Sequence, residues 1–115
     1  MTNALYRGFR TSDGLQVFRN QDGQWLPLPL RLDLDNHSPT GFECGYGGSG
    51  PAQLALAILA DMYSDAVAAK WHQPFKWRVV SQLPKNADWE LTGDEVRKHL
   101  HALIGNLSSE EYRRR

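Results

Sequence analysis

Residues 41–59, GFECGYGGSGPAQLALAIL, form the segment around which we expect the rest of the chain to fold. Its first residues alternate in polarity and predict a short strand at residues 42–46. The glycines that follow predict a tight turn, because glycine accepts positive φ and lets other groups approach the backbone. Pro51 suits the first position of a helix, where its missing N–H needs no partner. The apolar run after it then predicts a buried helix that forms the core.

The same turn is the candidate ligand site. Free N–H groups at a helix start, together with the helix dipole, favour an anion. We predict Gly50 as the N-cap, with the Ser49 side chain beside it. The candidate ligand-binding residues are Glu43, Tyr46, Gly47, Gly48, Ser49 and Gly50. The alternative is a packed turn without a ligand, the more common use of clustered glycines, which predicts positive φ at Gly47 or Gly48.

Known catalytic and metal-binding motifs do not match the chain. Residues 45–50 have the G-x-G-x-x-G spacing, but the acid expected about twenty residues later falls inside the predicted helix. A P-loop would need a lysine where Pro51 stands. Cys44 as a nucleophile would need a neighbouring histidine, and a packed small residue is the more common role. No metal-ligand spacing relates the four histidines, which are His37, His72, His99 and His101. We therefore predict no catalytic residue, no metal and no cofactor.

The composition predicts one small domain. The chain has 115 residues, of which 41% are hydrophobic, enough for a modest core. Thirteen basic and thirteen acidic residues give zero net charge, so the composition does not indicate binding to a nucleic acid or to a membrane surface. The single cysteine excludes an internal disulfide. The N-terminus lacks a signal-peptide pattern, and Asp61 and Asp65 interrupt the apolar helix, so we expect a cytoplasmic protein without a membrane span.

The N-terminal third of the chain predicts strands. Two β-prone runs, residues 5–10 and 15–19, flank a turn and predict a hairpin. Residues 25–32 follow a second turn and predict a third strand. Pro27 and Pro29 would place that strand at a sheet edge, because proline donates no ladder hydrogen bond.

The C-terminal half predicts helices and one further strand. We expect the helix from Pro51 to continue to about Lys70. For residues 74–83 we favour a second helix with Pro74 at its start, because apolar residues recur every four positions there. A strand is the open alternative, because Phe75, Trp77 and Val79 also alternate as strand residues do. A short strand is predicted at residues 89–91. Thr92 and Glu95 form a capping-box pattern for a last helix that ends at Gly105.

Together these elements predict an α+β fold. A small antiparallel sheet of three to five strands would pack on a central apolar helix with two shorter helices. We assign residues 1–107 to a single domain and residues 108–115 to a basic C-terminal tail.

Several segments resemble a prokaryotic family of small uncharacterised domains. The first is NHSPTGFE, residues 36–43, which leads through the glycine turn into PAQLALA at residues 51–57. The others are the F-K-x-x-V-V-x-x-L-P pattern at residues 75–84 and W-x-L-T at residues 89–92. Cys44 departs from the family, which often has tryptophan there. The resemblance implies a single domain from bacteria, archaea, phages or mobile elements, and no known activity.

Three functions remain open. The leading hypothesis is a non-enzymatic binding protein of a phage or mobile element that acts on a host macromolecule, for example as an inhibitor of a host defence system. Its partner would be a host or phage protein. The second is a domain, or an enzyme, that binds a small ligand or nucleotide phosphate at the Gly45–Gly50 turn. The third is single-stranded nucleic-acid binding. Its candidate residues are Arg7, Arg10, Arg19, Lys76, Arg78, Trp71 and Trp77.

Overall fold

The computed structural model describes residues 4–107. These residues contain four strands and three helices. In chain order they are β1 (Leu5–Thr11), β2 (Gly14–Gln21), β3 (Gln24–Pro27), α1 (Ser49–Met62), α2 (Asp65–Arg78), a 3₁₀ turn (Val80–Gln82), β4 (Trp89–Thr92) and α3 (Gly93–Leu107). The strands form one antiparallel sheet in the order β3-β2-β1-β4. The predicted α+β fold is therefore confirmed. The predicted tail, residues 108–115, lies outside the described residues, and the division into domain and tail stays a prediction.

Two hairpins build the sheet, and the first of them, between β1 and β2, confirms the predicted hairpin. β1 pairs with β2 from Leu5↔Asn20 to Thr11↔Gly14. β2 and β3 are joined by Asp22 and Gly23, whose φ values of 53° and 83° match the mirror-image turn that an Asp-Gly pair favours. β4 then adds to the free edge of β1, so the C-terminal part of the chain completes an N-terminal sheet.

One face of the sheet packs against α1. The inward side chains of the strands are buried, among them Tyr6, Val17 and Leu91. α1 is buried at every residue from Gly50 to Leu59, which confirms the predicted core helix. At the other end of α1, the Tyr6 hydroxyl donates to the Asp61 carboxylate at 2.6 Å. Burial, and then this hydrogen bond, raise the pKa of Tyr6 well above its ordinary value, so the neutral phenol holds the helix to the sheet.

The boundary between α1 and α2 differs from the prediction. α1 ends at Met62 instead of continuing to Lys70, and α2 begins at Asp65. The Ser64 hydroxyl caps α2 by accepting a hydrogen bond from the Val67 N–H at 3.1 Å. The break lets α2 fold back so that both helices bury apolar side chains against each other, which one continuous helix could not do. All three helices have similar lengths of 14, 14 and 15 residues, so α2 and α3 are not shorter than α1.

The segment after Pro74 also differs. Pro74 lies inside α2 instead of starting a new helix. The predicted 74–83 helix is the last turn of α2 followed by the separate 3₁₀ turn. Tertiary packing of Phe75 and Val80, both 0% exposed, outweighs the single backbone hydrogen bond that Pro74 removes.

Two predicted strands are shorter than expected. β3 ends at Pro27, beyond which the Leu28 N–H donates to the Val17 carbonyl at 3.0 Å. Residues 42–46 make only one bridge, between Phe42 and Leu15, and are otherwise irregular. The early end of β3 has a local cause, because Pro27 and Pro29 lack the N–H groups that would extend its hydrogen bonding to β2.

The capping box at the start of α3 is confirmed. The Glu95 N–H donates to the Thr92 hydroxyl at 3.1 Å, and the Thr92 N–H donates to the Glu95 carboxylate at 2.9 Å. The helix passes through Gly105 to Leu107 instead of ending at the glycine. Within residues 4–107, no helix combines the length and apolar character that crossing a bilayer requires.

Candidate functional site

The glycine turn before α1 is covered by two aromatic rings. A Cβ atom on Gly47 would overlap the Trp77 indole, and one on Gly48 would lie 2.7 Å from the Tyr46 ring. Neither glycine has positive φ, contrary to the prediction, and φ of Gly48 is −145°. These glycines therefore serve close approach of side chains and not an unusual backbone conformation.

The helix start is shifted from the predicted position. α1 begins at Ser49, and Gly48 is its N-cap in place of Gly50. No side chain caps it, so Ser49 does not have the predicted capping role. Pro51 is the third helical residue, a position that is also tolerated because the first N–H groups of a helix have no partner within it.

Two further glycines pack against the protein itself. Gly45 has φ of 85°, and its N–H donates to the Val80 carbonyl at 3.1 Å. A Cβ on Gly50 would lie 2.6 Å from the Glu43 Cβ. These contacts favour the packed-turn interpretation. Ligand binding at the turn stays a prediction.

Glu43 is held in an ion pair beside the turn. Its carboxylate accepts hydrogen bonds from the Arg10 guanidinium at 2.5 and 3.1 Å. The hydrogen bonds from Arg10 keep the pKa of Glu43 below its ordinary value. Arg10 also donates to the Lys85 carbonyl. Glu43 therefore links β1 to the start of α1, and it is a poor general base.

Cys44 is packed in the core. Its side chain is fully buried, and its thiol lies 3.5 Å from the Pro84 carbonyl. Burial raises the pKa of the Cys44 thiol, which disfavours the nucleophilic thiolate. The geometry supports a small packed residue.

An exposed aromatic and basic surface surrounds the turn. Trp77 is 58% exposed and Tyr46 is 42% exposed. The Lys85 ammonium lies 5.1 Å from the centre of the Tyr46 ring, and the Lys76 ammonium lies 4.3 Å from the Trp77 ring. We call Tyr46, Gly47, Gly48, Trp77 and Lys85 the turn surface. Large aromatic side chains in this arrangement are suited to contact with a partner.

The residues considered for nucleic-acid binding are mostly buried or paired, and nucleic-acid binding stays a hypothesis. Trp71 is only 9% exposed and belongs to the core, so it is not available for stacking beside Trp77. Three of the candidate arginines are neutralised by carboxylates: Arg7 by Glu90, Arg10 by Glu43 and Arg19 by Asp61. Lys76 is buried. The positive charge available for a phosphate backbone is correspondingly small.

A second cluster joins the loop before the turn to α2. The Nε2 atom of His37 lies 3.0 Å from Nε2 of His72 and 3.2 Å from the Asp35 carboxylate. The His72 Nδ1 atom lies 2.7 Å from the Ala68 carbonyl oxygen, to which it must donate. Each of the three side chains offers one nitrogen or oxygen atom that could bind a metal, and these atoms lie within 4.8 Å of one another. We call Asp35, His37 and His72 the His–Asp junction.

Sequence reasoning missed this junction. His72 follows His37 by 35 residues, and the two lie on different elements. The only local signal is the Asp35-x-His37 pair in an irregular loop. Such a pair becomes informative only when the fold places a third side chain, here His72, beside it.

Gln53 positions the loop that carries the junction. Its side chain is 0% exposed. The amide oxygen accepts hydrogen bonds from the N–H groups of His37 and Ser38 at 2.8 and 3.0 Å. The amide nitrogen donates to the carbonyls of Leu30 and Asp35 at 2.6 and 3.0 Å. This one residue of α1 thus connects four points of the loop to the core.

The chain belongs to the Family of unknown function (DUF6166), whose model matches residues 6–102. The match contains both the turn surface and the His–Asp junction. It confirms the predicted membership in an uncharacterised domain family, while the phage or mobile-element origin stays a prediction. Comparison with curated proteins and with solved structures gives no significant match.

Proposed function

We propose that this protein is a non-enzymatic binding protein of a phage or mobile element, and that it engages a host protein through the turn surface. The observation that supports the proposal is the exposure of Trp77, the highest among the large hydrophobic side chains of the described residues. Tryptophan and tyrosine are the side chains that most often dominate binding energy at protein interfaces.

Both aromatic rings of the turn surface pack against glycine backbone. Gly47 lets the Trp77 ring lie directly on the backbone, and Gly48 does the same for Tyr46. A lysine ammonium group is placed against each ring. Rings held in this way lose little rotational freedom when a partner covers them, which favours affinity.

Charge favours a protein over a nucleic acid as the partner. The chain has no net charge, and Arg7, Arg10 and Arg19 are paired with carboxylates. Lys85 leaves a local positive charge at the edge of the turn surface. A partner with an apolar pocket and an acidic rim would complement this arrangement.

The test uses immobilised protein and host lysate, with captured proteins quantified by mass spectrometry. Trp77→Ala should lose the specific partner and weaken its affinity, measured by calorimetry, by about 30-fold, the effect of one strong interface residue. Tyr63→Ala is the matched control. Tyr63 is also an exposed aromatic, but it lies beyond the far end of α1, about 21 Å along that helix from the turn.

Two experimental outcomes would contradict the proposal and support a different function. If nucleotides or phosphate raise the melting temperature of the wild type but not of Gly48→Ala, the turn is a small-ligand site. If single-stranded oligonucleotides bind and Trp77→Ala abolishes that binding, the protein is a nucleic-acid binder. Equal capture of every host protein by the wild type and Trp77→Ala would also contradict it.

A further inference from the structure

The His–Asp junction contains more hydrogen-bond acceptors than protons. His72 donates its Nδ1 proton to the Ala68 carbonyl, which leaves a lone pair on Nε2 of the neutral ring. That lone pair faces Nε2 of His37, which also faces the Asp35 carboxylate. A single N–H at His37 cannot be directed at both acceptors. A cation at this point would satisfy all three groups together.

From this geometry we infer that Asp35, His37 and His72 bind one divalent transition-metal ion. Imidazole nitrogen with one carboxylate oxygen is a donor set that zinc and neighbouring metals accept. The distances from Nε2 of His37 to Nε2 of His72, 3.0 Å, and to the Asp35 carboxylate oxygen, 3.2 Å, fit neighbouring ligand atoms on such an ion. Two ligand atoms on an ion lie about 3.4 Å apart in a tetrahedral zinc site and about 3.0 Å apart in an octahedral site.

The surroundings of His72 are those of a metal ligand. Its side chain is only 5% exposed, and its second ring nitrogen is fixed by a backbone carbonyl one helical turn earlier. Metal-binding histidines usually donate their other N–H in this way, because the bond fixes the tautomer and orients the ring. His72 therefore presents its lone pair from a rigid helix.

The loop side of the junction is positioned by a different residue. Gln53 accepts from the His37 N–H and donates to the Asp35 carbonyl, so it holds the backbone of both loop ligands. The Asp35 side chain is 51% exposed and that of His37 is 23% exposed. Solvent can therefore reach the junction, and water would complete the coordination beyond the three protein ligands.

The test is titration of chelator-treated protein with zinc chloride, followed by calorimetry and by the melting temperature. We expect one zinc ion per chain and a higher melting temperature. His37→Ala should weaken zinc binding by about 100-fold or more, beyond the loss typical of an outer-shell change. His101→Ala, which removes an exposed histidine from α3, should bind zinc as the wild type does.

Cobalt(II) provides a second readout that does not depend on stability. We expect visible d–d bands in the wild type that disappear in His37→Ala, their intensity separating four-coordinate from six-coordinate geometry. His37 lies on the loop surface, so this variant remains informative even where substitution of buried His72 disturbs folding. Stoichiometric binding that persists in His37→Ala, or no stoichiometric zinc binding in the wild type, would overturn the inference. Trp77→Ala should retain the site, which separates this result from that of the turn surface.

Discussion

The glycine turn leads into α1 and the His–Asp junction is held to α1 by Gln53, but the two regions differ in how their polar groups are satisfied. At the turn, the Gly45 N–H has a carbonyl partner and Glu43 is paired with Arg10. At the junction, Nε2 of His37 lies 3.0 Å from Nε2 of His72 and 3.2 Å from the Asp35 carboxylate, so two acceptors face one ring nitrogen. Clustered glycines therefore mark close packing here, whereas the proposed metal site is inferred from polar atoms that compete for one His37 N–H.

The largest expected effect concerns the residue that connects the junction to α1. Gln53→Leu removes four hydrogen bonds and leaves loop N–H and carbonyl groups without their partners. We expect a loss of about 3 kcal/mol in the free energy of unfolding, measured by chemical denaturation, together with weaker zinc binding. Gln73→Leu, at an exposed position of α2, is the control and should have little effect. If both variants unfold at the wild-type midpoint, Gln53 does not hold the loop.

The next prediction concerns the packing of the glycine turn and compares the loss of stability at two of its glycines. Gly50→Ala should cost about 1–3 kcal/mol, because the new Cβ meets the Glu43 backbone and Cβ in a buried position. Gly47→Ala should cost less, since the Trp77 ring that it meets faces solvent, where a new Cβ can push the ring outward without disturbing the buried core. Denaturation midpoints give both values. An equal or reversed order would show that the turn is not packed most tightly against Glu43.

The smallest effect concerns the ion pair beside the turn. Since Arg10 lowers the pKa of Glu43 in the folded protein, the pair stabilises the fold above the unfolded-state pKa of about 4.3. This stability is lost as the pH falls through the folded-state pKa. Glu43→Gln should therefore cost up to about 1 kcal/mol at pH 7, and the difference from the wild type should shrink below about pH 4.

A matched variant sharpens that measurement. Glu90→Gln breaks the pair with Arg7, in which both side chains are about half exposed, and it should change stability less than Glu43→Gln at pH 7. Denaturation at several pH values compares them. A Glu43→Gln effect that does not change between pH 7 and pH 3 would mean that the Arg10 pair contributes nothing to folding.

Much of the fold could be predicted because its signals are local. The Asp22-Gly23 pair favours a hairpin turn through its own backbone preferences, and Thr92 with Glu95 caps α3 through groups three residues apart. The apolar run after Pro51 predicts burial without reference to any partner element. Local signals were therefore enough to predict the first hairpin, the core helix and the capping box.

The positions at which helices end, and the distant side chains that come into contact, depend on tertiary packing and could not be predicted. The end of α1 at Met62 depends on packing between α1 and α2, because Ser64 permits a cap there but nothing local requires one. Trp77 lies on Gly47, and His72 reaches His37, only after α2 folds back. Contacts across about 30 residues depend on the free energy of the whole packed core, which outweighs local preferences and cannot be assigned to any one segment.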